Sequence, residues 1–147
     1  MNISIRPSNA SDVSRLFDVW ETAVAATHDF LSDADQRAIA NLVRDEYLPH
    51  ADLTVAVNDD DVALAFMGMT DNEIDSLFVH AEARGTGVGR KLVQFARDDK
   101  PVVRTEVNEQ NAQGVAFWKH MGFREVGRAE TDRQGRPYPL LLLEWRR

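Results

Sequence analysis

The sequence predicts an α/β fold of the mixed α+β type: one domain with a mainly antiparallel sheet and about four helices. The chain has 147 residues, of which 44% are hydrophobic, so it can bury one substantial core. Segments with strand alternation and segments with helical spacing follow one another in the order βαα, a β-meander and βαβαββ. The sequence contains no repeat, low-complexity tract or proline-rich linker, so we expect a single domain over residues 1–147.

The first elements are a short strand and two helices. Residues 3–6 alternate like a strand. Ser11 or Asp12 is placed to cap a first helix, whose apolar residues follow at helical spacing. Ser32 is placed to cap a second helix. We expect this helix to stop before Pro49, because the residue preceding a proline disfavours the helical conformation.

A β-meander follows these helices. Residues 53–57 and 62–70 predict a hairpin around the turn Asn-Asp-Asp-Asp at residues 58–61. Residues 74–79 predict the next strand. Short turns join neighbouring strands, so we expect this part of the sheet to be antiparallel.

The next elements alternate strand and helix. The glycine-rich sequence ARGTGVGRKL, residues 83–92, opens a helix that is expected to end near Pro101, and residues 102–107 predict a buried strand. Asn111 starts a further helix, which Gly122 is expected to end. A strand, a helix and a strand in succession predict one parallel crossover at the glycine segment.

Two strands complete the predicted sheet. They cover residues 123–131 and 140–145 and flank the turn Arg-Gln-Gly-Arg at residues 133–136. Exposed strands near this end of the chain favour a dimer, and the expected state is a monomer or a homodimer.

Composition argues against several functional classes. The sequence has no cysteine, which removes disulfides, thiolate metal sites and cysteine nucleophiles. The histidines lack the spacing of helical metal ligands, so we expect no metal. No apolar run approaches the roughly 18 residues of a membrane span, and the start lacks the apolar segment of a signal peptide. We therefore expect a cytoplasmic protein that binds no membrane. The four histidines are His28, His50, His80 and His120.

The charge is unevenly distributed. The net charge of −7 argues against nucleic-acid binding. Residues 1–83 carry a net charge of −12, and residues 84–147 carry +5. Such a division suits a protein that joins an anionic ligand to a cationic one, and scattered surface charge is the alternative.

The glycine segment matches neither of two common phosphate-binding motifs. A Walker A loop needs a glycine where Arg90 stands and a Ser or Thr after the lysine, and the dinucleotide fingerprint also needs a glycine at Arg90. The remaining pattern is Arg84-x-x-Gly87-x-Gly89 between a strand and a helix N-terminus. There, free backbone N–H groups and the helix dipole favour an anion, and glycine lets it approach closely. A simple tight turn is the alternative.

At these residues the sequence resembles the GNAT superfamily of acyl-CoA-dependent N-acyltransferases. The family's central motif, Arg/Gln-x-x-Gly-x-Gly/Ala after a strand, corresponds to the pattern above. A stretch at residues 27–31 is similar to that of small bacterial members. The family's second element, an Asn followed by an aromatic pair and Gly-Phe, corresponds here to Asn111, Phe117, Trp118, Gly122 and Phe123.

The resemblance implies that the anion is the diphosphate of acetyl-CoA, held by backbone N–H groups of residues 84–90 without a magnesium ion. It also implies that the strands ending at Val79 and Val107 splay apart, so that the pantetheine arm pairs with the edge near Leu77 and Val79. A backbone N–H near Val79 would polarise the thioester carbonyl. The expected cofactor-binding residues are Leu77, Phe78, Val79, Arg84, Gly85, Thr86, Gly87, Val88, Gly89, Arg90, Asn111, Phe117 and Trp118.

Aminolysis of a thioester needs a base. At pH 7 an alkyl amine with a pKa of about 10.4 is mostly protonated, and removing its proton costs roughly 4.6 kcal/mol. The departure of the thiolate leaving group needs less help, only roughly 2 kcal/mol. Glu73 and Asp75 have the same strand parity and should face one side of the sheet. Relatives place a base at the position of Glu73 or in the strand of Glu106. A purely solvating role is the alternative for all three carboxylates.

Two further residues, His28 and Tyr138, are candidates for the chemistry. His28 is either a base on the substrate side or a partner of a helix dipole. Many family members carry a tyrosine, taken as the acid, where this chain has Trp118, whose indole N–H cannot act as an acid. Tyr138, between two prolines, is the candidate replacement, and a packed aromatic is its alternative reading.

The sequence therefore predicts an N-acetyltransferase that moves an acetyl group from acetyl-CoA to a primary amine. The acceptor is expected to be a small cationic molecule or a protein or peptide amine. A catalytically weak acyl-CoA-binding sensor or interaction module is the alternative, favoured by Trp118. An unrelated nucleotide-binding α/β domain is a third possibility, supported by the glycines alone.

Overall fold

A computed structural model describes residues 2–147 and contains a seven-stranded mixed sheet. The strand order is β1-β2-β3-β4-β5-β7-β6, mostly antiparallel, with β4 and β5 parallel. The strands are β1 (Ser4–Pro7), β2 (Leu53–Val57), β3 (Ala63–Thr70), β4 (Glu73–Val79), β5 (Val102–Asn108), β6 (Arg124–Ala129) and β7 (Leu140–Arg146). The longer helices are α1 (Val13–Thr27), α2 (Asp33–Leu42), α3 (Val88–Arg97) and α4 (Ala112–His120). The predicted α/β fold is confirmed, and the element boundaries mostly agree within three residues.

The chain divides into two compact units. The first unit extends to Gly68 and includes Ser76–Leu92. The second unit comprises Met69–Asp75 and Val93–Arg147. The expectation of one domain over residues 1–147 stays a prediction. No helix within residues 2–147 is both long enough and apolar enough to cross a membrane.

The core of the first unit forms around α1. Leu16, Val19 and Trp20 lie three or four residues apart, so they share one helix face, and all three are buried. They belong to one apolar cluster with Val55 of β2 and Phe66 of β3. This packing places the C-terminal end of α1 in the same unit as the glycine segment.

The N-terminus of α1 differs from its prediction. Asp12 directly precedes α1, as one of the two predicted candidates, but its side chain makes no capping hydrogen bond to the helix. A 3₁₀ turn, Ala10–Asp12, precedes α1, and Asn9 caps that turn. The Asn9 side chain accepts a hydrogen bond from the Ser11 N–H at 3.0 Å. The Asp12 carboxylate accepts the Asn9 N–H at 2.8 Å and two bonds from the Arg6 guanidinium at 2.9 Å each.

An Asp12→Asn substitution is expected to destabilise the fold. Hydrogen bonds from Arg6 lower the pKa of the Asp12 carboxyl below its ordinary 3.8. A lowered pKa stabilises the folded state above pH 3.8, and this contribution is lost as the pH falls through the folded-state pKa. We expect a loss of about 1–2 kcal/mol at pH 7 and a weaker acid dependence below pH 4, measured by urea unfolding. The exposed Asp60→Asn is the control; an equal loss in both variants would contradict the role of the Arg6 pair.

The second helical segment continues beyond its predicted end. Ser32 caps α2 as predicted, its hydroxyl accepting the Asp35 N–H at 3.1 Å. The chain then passes through a π-helical turn, Val43–Tyr47, and a last helical turn, Leu48–His50, that contains Pro49. The expectation that the helix stops before Pro49 is wrong. The proline stands in the first turn of this last segment, where a missing N–H costs little.

The second unit is built on β5 and β7. Seven register pairs join these strands, from Val102 with Arg146 to Asn108 with Leu140. Helix α4 follows β5, begins after Asn111 and ends before Gly122 as predicted; Gly122 adopts a φ of 91°, which favours glycine.

Strands β4 and β5 pair over a short length. Among the described residues, the register pairs join Glu73 with Arg104 and Ile74 with Thr105, and the Thr105 hydroxyl donates to the Ile74 carbonyl at 3.0 Å. Strand β4 continues to Val79, five residues beyond the last pair. The parallel pairing of β4 and β5 confirms the predicted parallel crossover at the glycine segment, and the splaying of the two strands stays a prediction.

Candidate functional site

The glycine loop follows β4 directly. His80 begins it, a 3₁₀ turn spans Ala81–Ala83, and α3 starts at Val88. Gly85 and Gly87 adopt φ angles of 77° and 84°, in the left-handed region that other residues rarely occupy. The loop therefore favours glycine at both positions.

The N-terminus of α3 carries backbone donors that the helix itself does not use. The Lys91 N–H donates to the Gly87 carbonyl at 3.0 Å, the first hydrogen bond of helical spacing in α3. The N–H groups of Val88, Gly89 and Arg90 precede it, so they have no acceptor within the helix. A Cβ added at Gly85 or Gly87 would meet no atom within 4 Å. The loop thus has both the donors and the room that a phosphate group needs.

His80 anchors the start of this loop. Its Nδ1 accepts the Glu82 N–H at 3.1 Å, and its Nε2 lies 3.4 Å from an Asp18 carboxylate oxygen of α1. These contacts assign the proton to Nε2 and leave Nδ1 as the acceptor. The ring is buried and holds the turn that leads into the glycines.

The end of β4 has two different faces. Phe78 packs against the apolar core of the first unit, with ring contacts to Trp20 and Phe66. Leu77 and Val79 have the opposite parity and are partly exposed. Pairing of this backbone with a pantetheine arm stays a prediction.

His28 lies at the C-terminal end of α1. The Thr27 hydroxyl donates to the Ala23 carbonyl at 2.8 Å, and its oxygen lies 2.6 Å from His28 Nδ1. This arrangement assigns a proton to Nδ1 and leaves Nε2 unprotonated in the neutral ring. Burial lowers the pKa of His28 below its ordinary value, and contact with the Phe78 ring contributes to that burial. The neutral form is compatible with a base and unlike the cation that a helix dipole favours.

Two of the predicted carboxylates come together in the second unit. Glu73 pairs in register with Arg104, so Glu106, two residues further along β5, lies on the same face of the sheet. Arg133 bridges them: its Nε donates to Glu106 Oε2 at 2.9 Å, and its Nη2 donates to Glu73 Oε1 at 3.0 Å and to Glu106 Oε1. Contact with Glu106 raises the pKa of the Arg133 guanidinium.

Asp75 has the same parity but different contacts. Its carboxylate accepts the Thr70 hydroxyl at 2.6 Å, and it contributes to the raised pKa of Arg133 only through its charge. Of the three predicted carboxylates, Glu73 and Glu106 are therefore the two that hydrogen-bond the Arg133 guanidinium directly.

Three of the remaining predicted residues of the second unit, Asn111, Trp118 and Tyr138, are buried, and Phe117 is half-buried. Trp118 is 6% exposed and packs edge-on against Phe117 and Phe123, at centroid distances of 5.2 and 4.9 Å. Tyr138 is also 6% exposed. The Asn111 amide oxygen caps α4 by accepting the Gly114 N–H at 3.0 Å. A coenzyme contact or a catalytic role for these residues stays a prediction.

Comparison with known proteins identifies the family. A model described as "Acetyltransferase (GNAT) domain" matches residues 49–125. The chain belongs to the GNAT acetyltransferase family. It is 46% identical over 143 residues to the peptidyl-lysine N-acetyltransferase YjaB of Salmonella typhimurium, covering 97% of this chain and 98% of that protein.

Solved GNAT structures have the same fold. The solution structure of apo-form YjaB from Escherichia coli has a TM-score of 0.94 and 46% identity, covering 99% of this chain and 98% of that one. The PaiA N-acetyltransferase of Thermoplasma acidophilum, solved in complex with coenzyme A, has a TM-score of 0.75 and 18% identity, with both chains covered completely.

The GNAT chain is an acetyl-CoA-dependent N-acetyltransferase, as the sequence predicts. Its glycine loop fits this cosubstrate, because the loop combines open space with the first N–H groups of α3. Within residues 2–147, no group of three or more histidine, aspartate and glutamate side chains is arranged to hold a metal ion.

Sequence reasoning missed three residues that shape these segments. Arg133 was placed only in a turn, and nothing in its neighbours indicates that it reaches β4 and β5. His80 caps a turn, a position where Ser, Thr, Asp or Asn is the usual signal. Gly114 keeps room for the capping Asn111, since an added Cβ would lie 2.5 Å from its Nδ2. The spacing of Asn111 and Gly114 at the predicted helix start is the one signal that was available.

Proposed function

We propose that the acceptor is the side-chain amine of lysine in a peptide or protein. The observation that carries this proposal is the Glu73–Glu106 pair, which holds the guanidinium of Arg133, a cation on a long alkyl stem. Lysine presents the same kind of group. The curated relative YjaB is named a peptidyl-lysine N-acetyltransferase, which supports the same acceptor.

We propose that the residues of the first unit bind the cosubstrate. Backbone N–H groups in residues 84–90 would hold the diphosphate, helped by the positive end of the α3 dipole. The backbone of Leu77, Phe78 and Val79 would pair with the pantetheine arm as an added strand does. Asn111, Phe117 and Trp118 are proposed to contribute further contacts. Bound acetyl-CoA supplies the acetyl thioester that the amine attacks.

We propose Glu106 as the general base, with Glu73 beside it. Deprotonating the lysine amine at pH 7 is the larger of the two proton problems, roughly 4.6 kcal/mol, and a carboxylate acting directly or through water can accept that proton. Glu106 is the less exposed of the pair, 23% against 38% for the Glu73 side chain. Asp75 and the neutral His28 are the other proposed proton acceptors.

Tyr138 is the proposed proton donor to the departing thiolate. A phenol O–H has the chemistry of an acid that the Trp118 indole lacks. The thiolate needs only roughly 2 kcal/mol of help to leave at pH 7, so the reaction depends less on this proton donor than on the base.

The test is transfer to a lysine peptide whose N-terminus is acetylated. We expect coenzyme A release and a matching acetyl-lysine by mass spectrometry, with a rate that rises from about pH 6 to 9 as more of the amine becomes neutral. The same peptide with arginine in place of lysine is the control. Acetylation of unblocked N-termini alone would contradict the proposed acceptor. Coenzyme A binding without transfer to any amine would support an acyl-CoA-binding module instead.

We further propose that residues 1–147 form one catalytic domain, a monomer or homodimer that binds neither nucleic acid nor membrane. A cytoplasmic location is proposed because the enzyme depends on acetyl-CoA. The net charge of −7 supports the absence of nucleic-acid binding. Size-exclusion chromatography with light scattering tests the oligomeric state.

A further inference from the structure

We propose that Arg133 is a specificity-determining residue that competes with the acceptor for the Glu73–Glu106 pair. Its guanidinium occupies the carboxylates as an intramolecular stand-in for the cationic side chain of the acceptor. The acceptor binds after Arg133 has left, so the enzyme favours acceptors that can displace it. This inference rests on the proposed use of the two carboxylates.

The contacts of Arg133 support competition. Both oxygens of Glu106 accept hydrogen bonds from the guanidinium, and one oxygen of Glu73 accepts a third. A carboxylate that binds or deprotonates an ammonium group must present these same oxygens to it. Arg133 and a cationic acceptor therefore cannot have the full set of contacts at the same time.

The turn that carries Arg133 allows the side chain to leave. Asp132 Oδ1 accepts the N–H groups of Gln134 and Arg136 at 3.0 and 2.8 Å, and the Asp132 carbonyl accepts the Gly135 N–H at 3.0 Å. The backbone of the turn is thus held without Arg133, whose side chain is 63% exposed. Rotation of the side chain is enough to free the carboxylates.

The expected size of the competition is modest. The equilibrium between a formed and a broken ion pair at an exposed site typically favours the formed pair by up to about fivefold. The apparent affinity for a ligand falls in proportion to the fraction of protein that is competent to bind it. Arg133 should therefore weaken the binding of cationic acceptors by about two- to fivefold without changing the rate of the chemical step.

An Arg133→Gln variant tests the proposal with the lysine peptide. We expect KM to fall by about two- to fivefold with little change in kcat. Arg128→Gln is the matched control, because Arg128 forms two 3.0 Å bonds with Glu109 and loses the same charge. Arg133→Lys keeps the charge but loses the two-point contact with Glu106, so its KM should lie between those of the wild type and Arg133→Gln. An equal fall in KM for Arg128→Gln would show a general charge effect and overturn the proposal, as would an unchanged or raised KM for Arg133→Gln.

Salt dependence gives a readout that a merely structural role would not change. In the wild type, salt weakens both the acceptor contact and the competing Arg133 contact, so the two effects partly cancel. In Arg133→Gln only the acceptor contact remains. The KM of this variant should rise more steeply between about 0.05 and 0.5 M salt than the wild-type KM, and equal slopes would overturn the proposal.

A binding measurement separates this proposal from the proposed function. Nα-acetyl-arginine amide has no amine to acetylate, so calorimetric titration reports binding without turnover. We expect about two- to fivefold tighter binding to Arg133→Gln than to the wild type or to Arg128→Gln. This result would support competition even if no lysine peptide were acetylated. Equal affinities, or no binding to any of the three proteins, would overturn it.

Discussion

A Gly87→Glu variant is expected to lose about 100-fold or more in affinity for coenzyme A, roughly 2.7 kcal/mol, while remaining folded. A Cβ added at Gly87 meets no atom within 4 Å, so the new side chain has room at the residue that directly precedes α3. Its carboxylate would repel the diphosphate and compete for the same donors. Calorimetric titration with coenzyme A measures the loss, and circular dichroism checks the fold.

Gly135→Glu is the matched control for this variant. Gly135 has a φ of 80°, close to the 84° of Gly87, and an added Cβ there also meets no atom within 4 Å. The two substitutions therefore impose similar backbone strain and add the same charge. Normal coenzyme A affinity in Gly87→Glu, or an equal loss in both variants, would refute the role of the glycine loop.

The second large effect is expected at the proposed base. Glu106→Gln should lower kcat for the lysine peptide by about 100-fold or more, because general-base catalysis typically contributes 10²- to 10⁴-fold. The amide keeps the shape of the side chain and cannot accept the proton. Coenzyme A affinity should stay within about twofold of the wild type, since the proposed diphosphate contacts come from residues 84–90.

Glu109→Gln is the control for Glu106→Gln. Glu109 follows β5 in the same unit, and it forms an exposed ion pair with Arg128. This variant should keep its activity. A larger loss in Glu73→Gln than in Glu106→Gln would instead assign the base to β4, and full activity in both would exclude the carboxylate pair as the base.

The fold was predictable because its local signals agree with its packing. Leu16, Trp20 and Val24 follow helical spacing in the sequence, and all three are buried on α1. Asn111 and Gly122 bound α4 where capping chemistry predicts. The helix through Pro49 was not predictable from the same rules, because a π-helical turn before the proline shifts the hydrogen-bond pattern, and local sequence does not signal such a turn.

The candidate site was predictable only in part. Two motifs at the proper separation indicated the family, which the domain match confirms. The equal parity of Glu73 and Asp75 did not indicate that Glu73 would share a cation with Glu106, because that contact depends on the parallel register of β4 and β5. Arg133 is 27 residues from Glu106 and 60 from Glu73 along the chain. Only a folded structure brings these three together.

The self-contained turn around Asp132 has a consequence for how this enzyme could diversify. Asp132 holds the turn through its own carboxylate and carbonyl. The side chain at position 133 therefore contributes little to the folding of the turn. A single codon change there could alter acceptor preference without a penalty in stability. Acceptor choice would then evolve separately from the glycine loop, where the left-handed backbone at Gly85 and Gly87 disfavours most substitutions. Libraries randomised at residue 133 are therefore an economical starting point for redirecting the enzyme to new amines.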